Sequence, residues 1–185
     1  HIGVEGGLSV LGTSGIVEPM SEQALLDTIQ LEMNQARLRP HPGTPQRLIL
    51  APGNYGLDYL HGTLPRLEKI PVVKCSNFIG DTLDMAAAVG FEEVLLICTY
   101  AALSGAGQEV CAALLHAATT DACIEILDKA GLRAPVLAGL VDAIQTHLDR
   151  RAAGAFRVGA ILFSNQYGPL GQTQTAKELL QAWTM

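Results

Sequence analysis

Gly12-Thr13-Ser14-Gly15-Ile16-Val17-Glu18-Pro19-Met20-Ser21 is a glycine-rich turn between an apolar run, Leu8 to Leu11, and a segment from Ser21 to Arg37. The run reads as the end of a strand. The segment places Leu25, Leu26, Ile29, Met33 and Ala36 on one face, which is helical spacing. Ser21 suits the start of that helix, and Arg37 and Arg39 suit its negative end. A turn of this kind aims backbone N–H groups at whatever sits above the sheet, a setting for an anionic or nucleotide-like ligand. It has neither the G-x-G-x-x-G run of dinucleotide sites nor the G-K-[ST] ending of a phosphate-binding loop.

Three further clusters repeat the arrangement. Ala51-Pro52-Gly53-Asn54-Tyr55-Gly56 follows Leu48-Ile49-Leu50, and Lys74-Cys75-Ser76-Asn77 follows Pro71-Val72-Val73. Ser164-Asn165-Gln166-Tyr167-Gly168 follows the run from Val158 to Phe163. Each cluster closes a strand, and in an open parallel sheet that rim is where ligands bind.

Between the loops the chain alternates. Tyr55 to His61 reads as a short helix, and Phe78 to Val89 as a helix closed by Gly90. Glu93 to Ile97 is a strand. Helices follow over Gly107 to Ala118, Asp121 to Ala130 and Ala134 to Ala153, the last with Val136, Leu140, Ile144, His147 and Leu148 near one stripe. Val158 to Phe163 is a strand, and Thr173 to Trp183 a closing helix. Alternation of this kind predicts a three-layer α/β/α domain with a mostly parallel, Rossmann-like sheet.

The chain has 185 residues, 49% of them apolar, which suits one α/β domain over residues 1–185. A formal charge of −6 argues against nucleic acid as a partner. No apolar run reaches the roughly 18 residues of a membrane span. The four cysteines, Cys75, Cys98, Cys111 and Cys123, form no C-x-x-C pair and read as reduced thiols of a cytoplasmic protein. No histidine motif suggests a bound metal. The opening His1-Ile2-Gly3 enters a strand almost at once, so the domain reads as the carboxyl-terminal part of a larger protein. Ile97 runs into Cys98-Thr99-Tyr100-Ala101-Ala102, a helical pattern, without an exit turn. That junction reads as the place of a missing loop, between residues 97 and 98.

Cys75 is the tempting nucleophile, since it follows Lys74, which would lower its pKa. It has no adjacent histidine base: His1, His41 and His61 lie at the start, in a turn and near a helix end, and His116 and His147 sit in helical patterns. A structural cysteine in a tight loop outweighs the nucleophile. Glu18 and Asp81 are carboxylates near the rim, suited to ribose hydroxyls or a cationic ligand, or to a helix N-terminus. Asn54 suits a turn tolerant of positive φ, and Asn77 a helix cap, and both could present amides to a ligand. Tyr55 and Tyr167 could stack on a flat ligand or pack half-buried.

Together, three segments resemble one family. The stretch Gly6 to Ser21, Pro52-Gly53-Asn54-Tyr55-Gly56, and Val73-Lys74-Cys75-Ser76-Asn77-Phe78-Ile79-Gly80-Asp81 are similar, in order, to motifs of the CbiD family, the cobalt-precorrin-5B C(1)-methyltransferases. The resemblance runs from about residue 2 to residue 97 and resumes more weakly to the end. It implies methyl transfer from S-adenosylmethionine to ring carbon 1 of cobalt-precorrin-5B, giving cobalt-precorrin-6A, in anaerobic cobalamin synthesis. It implies a cytoplasmic enzyme with a corrinoid substrate that brings its own cobalt, and no protein-bound metal. It also implies an amino-terminal domain before the first motif and a glycine-, histidine- and lysine-rich loop after the strand Glu93 to Ile97.

The residues carried over as cofactor- or substrate-binding are Gly12, Thr13, Ser14, Gly15 and Glu18 in the first loop. Pro52, Gly53, Asn54, Tyr55 and Gly56 come from the second, and Lys74, Ser76, Asn77 and Asp81 from the third. No catalytic residue is singled out, because an electron-rich acceptor carbon needs no enzymatic nucleophile and positioning does most of the work. Lys74 is the only lysine of these rim loops and is expected to meet a corrin carboxylate. Two other readings stay open: a cysteine-based or nucleotide-dependent transferase using Cys75, and a non-catalytic tetrapyrrole-binding domain. Which loop holds the methyl donor, and whether the protein is a homo-oligomer, stay open too.

Overall fold

The computed structural model describes residues 21–38, 45–99 and 120–184. Its strands are β1 (Arg47–Ala51), β2 (Val72–Lys74), β3 (Glu93–Thr99), β4 (Arg157–Ser164) and β5 (Gly168–Gln172). The helices are α1 (Glu22–Arg37), α2 (Asn54–Thr63), α3 (Ile79–Val89), α4 (Thr120–Lys129), α5 (Arg133–Ala152) and α6 (Gln174–Thr184). The strands form one sheet in the order β2-β1-β3-β4-β5. The first four pair in parallel, and β5 returns antiparallel beside β4.

Strands covered on both faces need near-continuous apolar runs, and β1, β3 and β4 have them after their charged first residues. Leu48, Leu50, Val94, Leu96, Val158 and Leu162 pack on one face with Met33 of α1, Leu83 of α3 and Ile144 of α5. Ile49, Leu95, Ile97, Ile161 and Phe163 pack on the other, with Leu60 of α2 and Leu179 of α6. The three-layer α/β/α arrangement expected from the sequence is therefore the one observed. Gly159 of β4 lets α6 lie directly on the sheet, since a Cβ there would collide with the backbone of Ala176.

The order of crossovers places the functional rim. The step β1–α2–β2 runs one way across the sheet and β2–α3–β3 runs back, with the two helices on opposite faces, as right-handed connections require. The direction reverses at β1. Such a switch point opens a crevice at the carboxyl ends of the strands on either side, here β1 and β3.

Local signals held at the helix ends. The Ser21 hydroxyl accepts a hydrogen bond from the Ala24 N–H at 3.1 Å. Gly90 closes α3 at φ 84 and Gly131 follows α4 at φ 68. Other expectations need correction. β3 continues through Cys98 and Thr99, in unbroken register with Leu162 and Phe163, where the sequence pattern starts a helix. Cys98 extends the apolar run and Thr99 is β-branched, and the neighbouring strand is long enough to pair both. Asn77 does not cap α3, whose preceding residue is Phe78, with no side-chain cap. Asn54 opens α2 and does not have positive φ. The buried stripe of α5 is Leu137, Ile144, Leu148 and Ala152, while Val136 and His147 face outward. The helix expected over Gly107 to Ala118 lies outside the described residues, as does Cys111.

Candidate functional site

β1 ends at Ala51, and Pro52 and Gly53 turn the chain into α2. Proline cannot donate to the ladder, so the pairing stops there. Gly56, in the first turn of α2, is buried against the end of β3: a Cβ would lie 2.7 Å from the Ile97 carbonyl oxygen. Its glycine thus has a packing reason, the close passage of α2 over the switch point. One strand further out, β2 ends at Lys74. Cys75 then turns inward and its N–H bonds the Ala51 carbonyl at 3.0 Å. Ser76 follows at φ 48, left-handed backbone that costs a non-glycine residue about 1–2 kcal/mol. Strain of this kind concentrates where a loop is held for a purpose.

These two turns share a cleft of about 380 Å³. Pro52, Gly53 and Asn54 form one wall, and Lys74 and Ser76 another. Leu25, Thr28, Ile29 and Glu32 of α1 close the third side. A second cleft of about 310 Å³ adjoins it and is also lined by Glu32 and Lys74. Neither charged side chain has an ion-pair partner among the described residues, and no ion pair joins them to each other. The first cleft falls within the range of small-molecule sites, roughly 300–1,000 Å³.

The structure brings Pro52, Gly53, Asn54, Lys74 and Ser76 together. It leaves Tyr55 and Asn77 exposed outside the cleft lining. Asp81 lies exposed in the first turn of α3, near the Arg151 guanidinium that Asp84 grips with bonds of 2.7 and 2.5 Å. The Arg151 pKa is raised, first by that hydrogen bond to Asp84, with Asp81 adding a smaller electrostatic share. Gly12, Thr13, Ser14, Gly15 and Glu18 lie outside the described residues. Glu32 is the cleft residue that sequence reasoning missed. It sits on α1, one turn from the apolar stripe, and nothing in its own helix marks it.

The fourth rim loop is a hairpin turn. The Ser164 hydroxyl accepts from the Gln166 and Tyr167 N–H groups at 3.0 and 3.1 Å and donates to the Asp121 carboxylate at 2.7 Å. Tyr167 is half-buried, with the Arg133 guanidinium over one face of its ring, 5.4 Å from the centroid. A wider cavity, about 890 Å³, runs along β5 beside α5, with Asp128 of α4 and Lys177 of α6 at its edges. Its Arg133 and Asp128 already pair at 3.0 Å, and it lies off the switch point, so the smaller cleft is the candidate site.

Cys75 is fully buried, and burial pushes its thiol up to about 12. The expectation that Lys74 lowers it is overturned: Lys74 is exposed and lines the cleft, while Cys75 packs in the core with Leu50 and Val73. Burial also raises the thiol of Cys98, which lies against the Ile161 carbonyl at 3.7 Å. Cys123 is buried as the small core residue that its alanine-rich surroundings suggest. Among the described residues, no group of three or more His, Cys, Asp or Glu side chains could hold a metal ion. No helix there is long and apolar enough to cross a membrane.

A doubly wound sheet with a cleft beside its switch point defines a class, the α/β proteins that take small molecules at the carboxyl rim. Comparison narrows it. Residues 93–174 match the family described as CbiD, C-terminal domain. It is similar to the cobalt-precorrin-5B C(1)-methyltransferase of Ruminiclostridium cellulolyticum, 33% identical over 89% of this chain and 49% of the relative. The protein of that name from Alkaliphilus metalliredigens is 28% identical over 97% of this chain and 54% of its own length. That from Alkaliphilus oremlandii reaches 45% identity over 97 residues, 52% of this chain and 26% of the relative. The chain spans about half the length of the relatives that it matches along most of its own. No solved structure matches it significantly.

Proposed function

We propose that this chain serves methyl transfer from S-adenosylmethionine to ring carbon 1 of cobalt-precorrin-5B, giving cobalt-precorrin-6A in anaerobic cobalamin synthesis. The observation that carries the reading is 33% identity, over 89% of the chain, to a relative bearing the name of that activity. The rim cleft supports it, lying at the carboxyl ends of β1 and β2, one strand over from the switch-point crevice. S-adenosylmethionine supplies an electrophilic methyl carbon and leaves as S-adenosylhomocysteine.

The chain's own residues then have three tasks. Pro52, Gly53 and Asn54 present backbone and a short amide without bulk, so that a flat ligand can approach the sheet. Lys74 supplies positive charge on an acidic protein. Leu25 and Ile29 give an apolar wall that keeps water from the reacting carbons. No side chain has to act as nucleophile, which agrees with the inert surroundings of Cys75. Holding donor and acceptor in line is the main contribution, worth up to roughly 7–11 kcal/mol in well-oriented systems.

The test is incubation of the protein with methyl-labelled S-adenosylmethionine and cobalt-precorrin-5B. One labelled methyl should appear on the corrin, with one equivalent of S-adenosylhomocysteine. Binding of the corrin without transfer would replace this reading by the non-catalytic tetrapyrrole-binding one.

A further inference from the structure

The cleft beside β1 and β2 holds two opposite charges that do not meet. Lys74 is exposed at the end of β2, and Glu32 is half-buried on α1 across the opening. Both line the main cleft and the one adjoining it, so they flank the passage between the two. Although both line the same two clefts, no ion pair joins them among the described residues. A polycarboxylate would meet Lys74 favourably but would also face Glu32, and like charges in a partly desolvated site repel. A ligand carrying both signs on adjacent atoms satisfies both residues.

We infer that this cleft binds the α-amino-acid end of the methyl donor, its ammonium group against Glu32 and its carboxylate against Lys74. The inference rests on the methyl-transfer reading and deepens it, since it assigns the donor to the β1–β2 side of the rim. Charge-assisted hydrogen bonds on each side fix the orientation of the zwitterion. Thr28, Asn54 and Ser76 add neutral polar groups within the same walls. On this inference Lys74 serves the donor and not the corrin carboxylate expected from the sequence.

The experiment measures calorimetric affinities of the purified protein and of its Glu32→Gln and Lys74→Met variants for two nucleosides. S-adenosylhomocysteine carries the amino-acid end, and 5′-deoxy-5′-methylthioadenosine lacks it. Each variant should lose about tenfold or more in affinity for S-adenosylhomocysteine and stay within about twofold for methylthioadenosine, tenfold being about 1.4 kcal/mol. The second ligand also reports that the variants are folded. Unchanged S-adenosylhomocysteine binding in both variants overturns the inference and leaves methyl transfer standing. Equal loss for both nucleosides overturns it as well, because the substitutions then act on cleft shape and not on the zwitterion. A parent protein that binds neither nucleoside overturns the inference and the methyl-transfer reading together.

Discussion

Trp183 donates its indole N–H to the Glu93 carboxylate at 2.5 Å, tying the last helix to the first residue of the central strand. Glu93 also receives Arg47 at 3.3 Å and Arg157 at 3.5 Å, while Arg47 lies 5.7 Å from the Trp183 ring centroid. These residues occupy the amino ends of β1, β3 and β4, opposite the ligand rim. The cluster locks α6 to the sheet and leaves the functional rim to the loops.

Replacing Trp183 by Phe keeps most of the apolar body and removes one donor from a carboxylate only 10% exposed. The expected loss is about 1–3 kcal/mol, the range for leaving a buried acceptor short of a partner. Urea unfolding should show a lower midpoint with an unchanged slope. Methyl transfer by the folded variant should be normal. A stability equal to the parent's would mean that the two arginines satisfy Glu93 without the indole.

How far the sequence discloses this architecture depends on where each signal is stored. Leu48-Ile49-Leu50 and the run Val158 to Phe163 carry their strand nature in neighbouring residues, so β1 and β4 were legible. β5 was not. Gly168-Pro169-Leu170-Gly171-Gln172 has two glycines, a proline and no β-branched residue. It is a strand because β4 offers it an edge, where proline is tolerated. The cleft is similar: Lys74 and Gly53 announce themselves in loops, but Glu32 matters only because α1 lies over β2. The Glu93–Trp183 bond spans 90 positions and has no local trace.

The two glycines of the β1–α2 turn should behave differently. A Cβ at Gly53 meets nothing within 4 Å, and its φ of −168 is open to any residue. Gly53→Ala should leave stability within about 0.5 kcal/mol, as at an unstrained surface position. Gly56→Ala must push α2 away from Ile97 and should cost about 1–3 kcal/mol. Thermal melts of both variants distinguish these outcomes. If Gly53→Ala then weakens binding of S-adenosylhomocysteine, the loss reports the cleft wall directly.

Burial of the Cys75 thiol has a consequence at alkaline pH. Burial lifts its pKa to about 12 when folded, against 9.0 for an ordinary thiol. Between those values the unfolded chain has released its proton and the folded chain has not. Stability from this group is therefore complete below about pH 9 and falls as pH rises toward 12. The parent should lose stability faster than Cys75→Ala above pH 9, measured by denaturant midpoints across the alkaline range. Iodoacetamide at pH 8 should leave Cys75 unlabelled in the native protein. Rapid labelling there would show that the loop opens.

Lys74 and Cys75 are neighbours with opposite expected phenotypes. Cys75 packs in the core and touches no ligand space, so Cys75→Ala should keep turnover within about tenfold, roughly 1.4 kcal/mol of barrier. Lys74→Ala removes the cation of the cleft and should act chiefly through binding, raising KM for the methyl donor more than it lowers kcat. Because the ammonium is exposed, the parent's affinity should weaken with added salt, and the variant should respond less. Steady-state kinetics with S-adenosylmethionine and cobalt-precorrin-5B, at two ionic strengths, checks both residues at once. Abolished turnover in a well-folded Cys75→Ala variant would promote covalent chemistry at the cysteine and remove the direct-displacement reading. A Lys74→Ala variant with unchanged KM for the donor and a raised KM for the corrin would return this lysine to the acceptor.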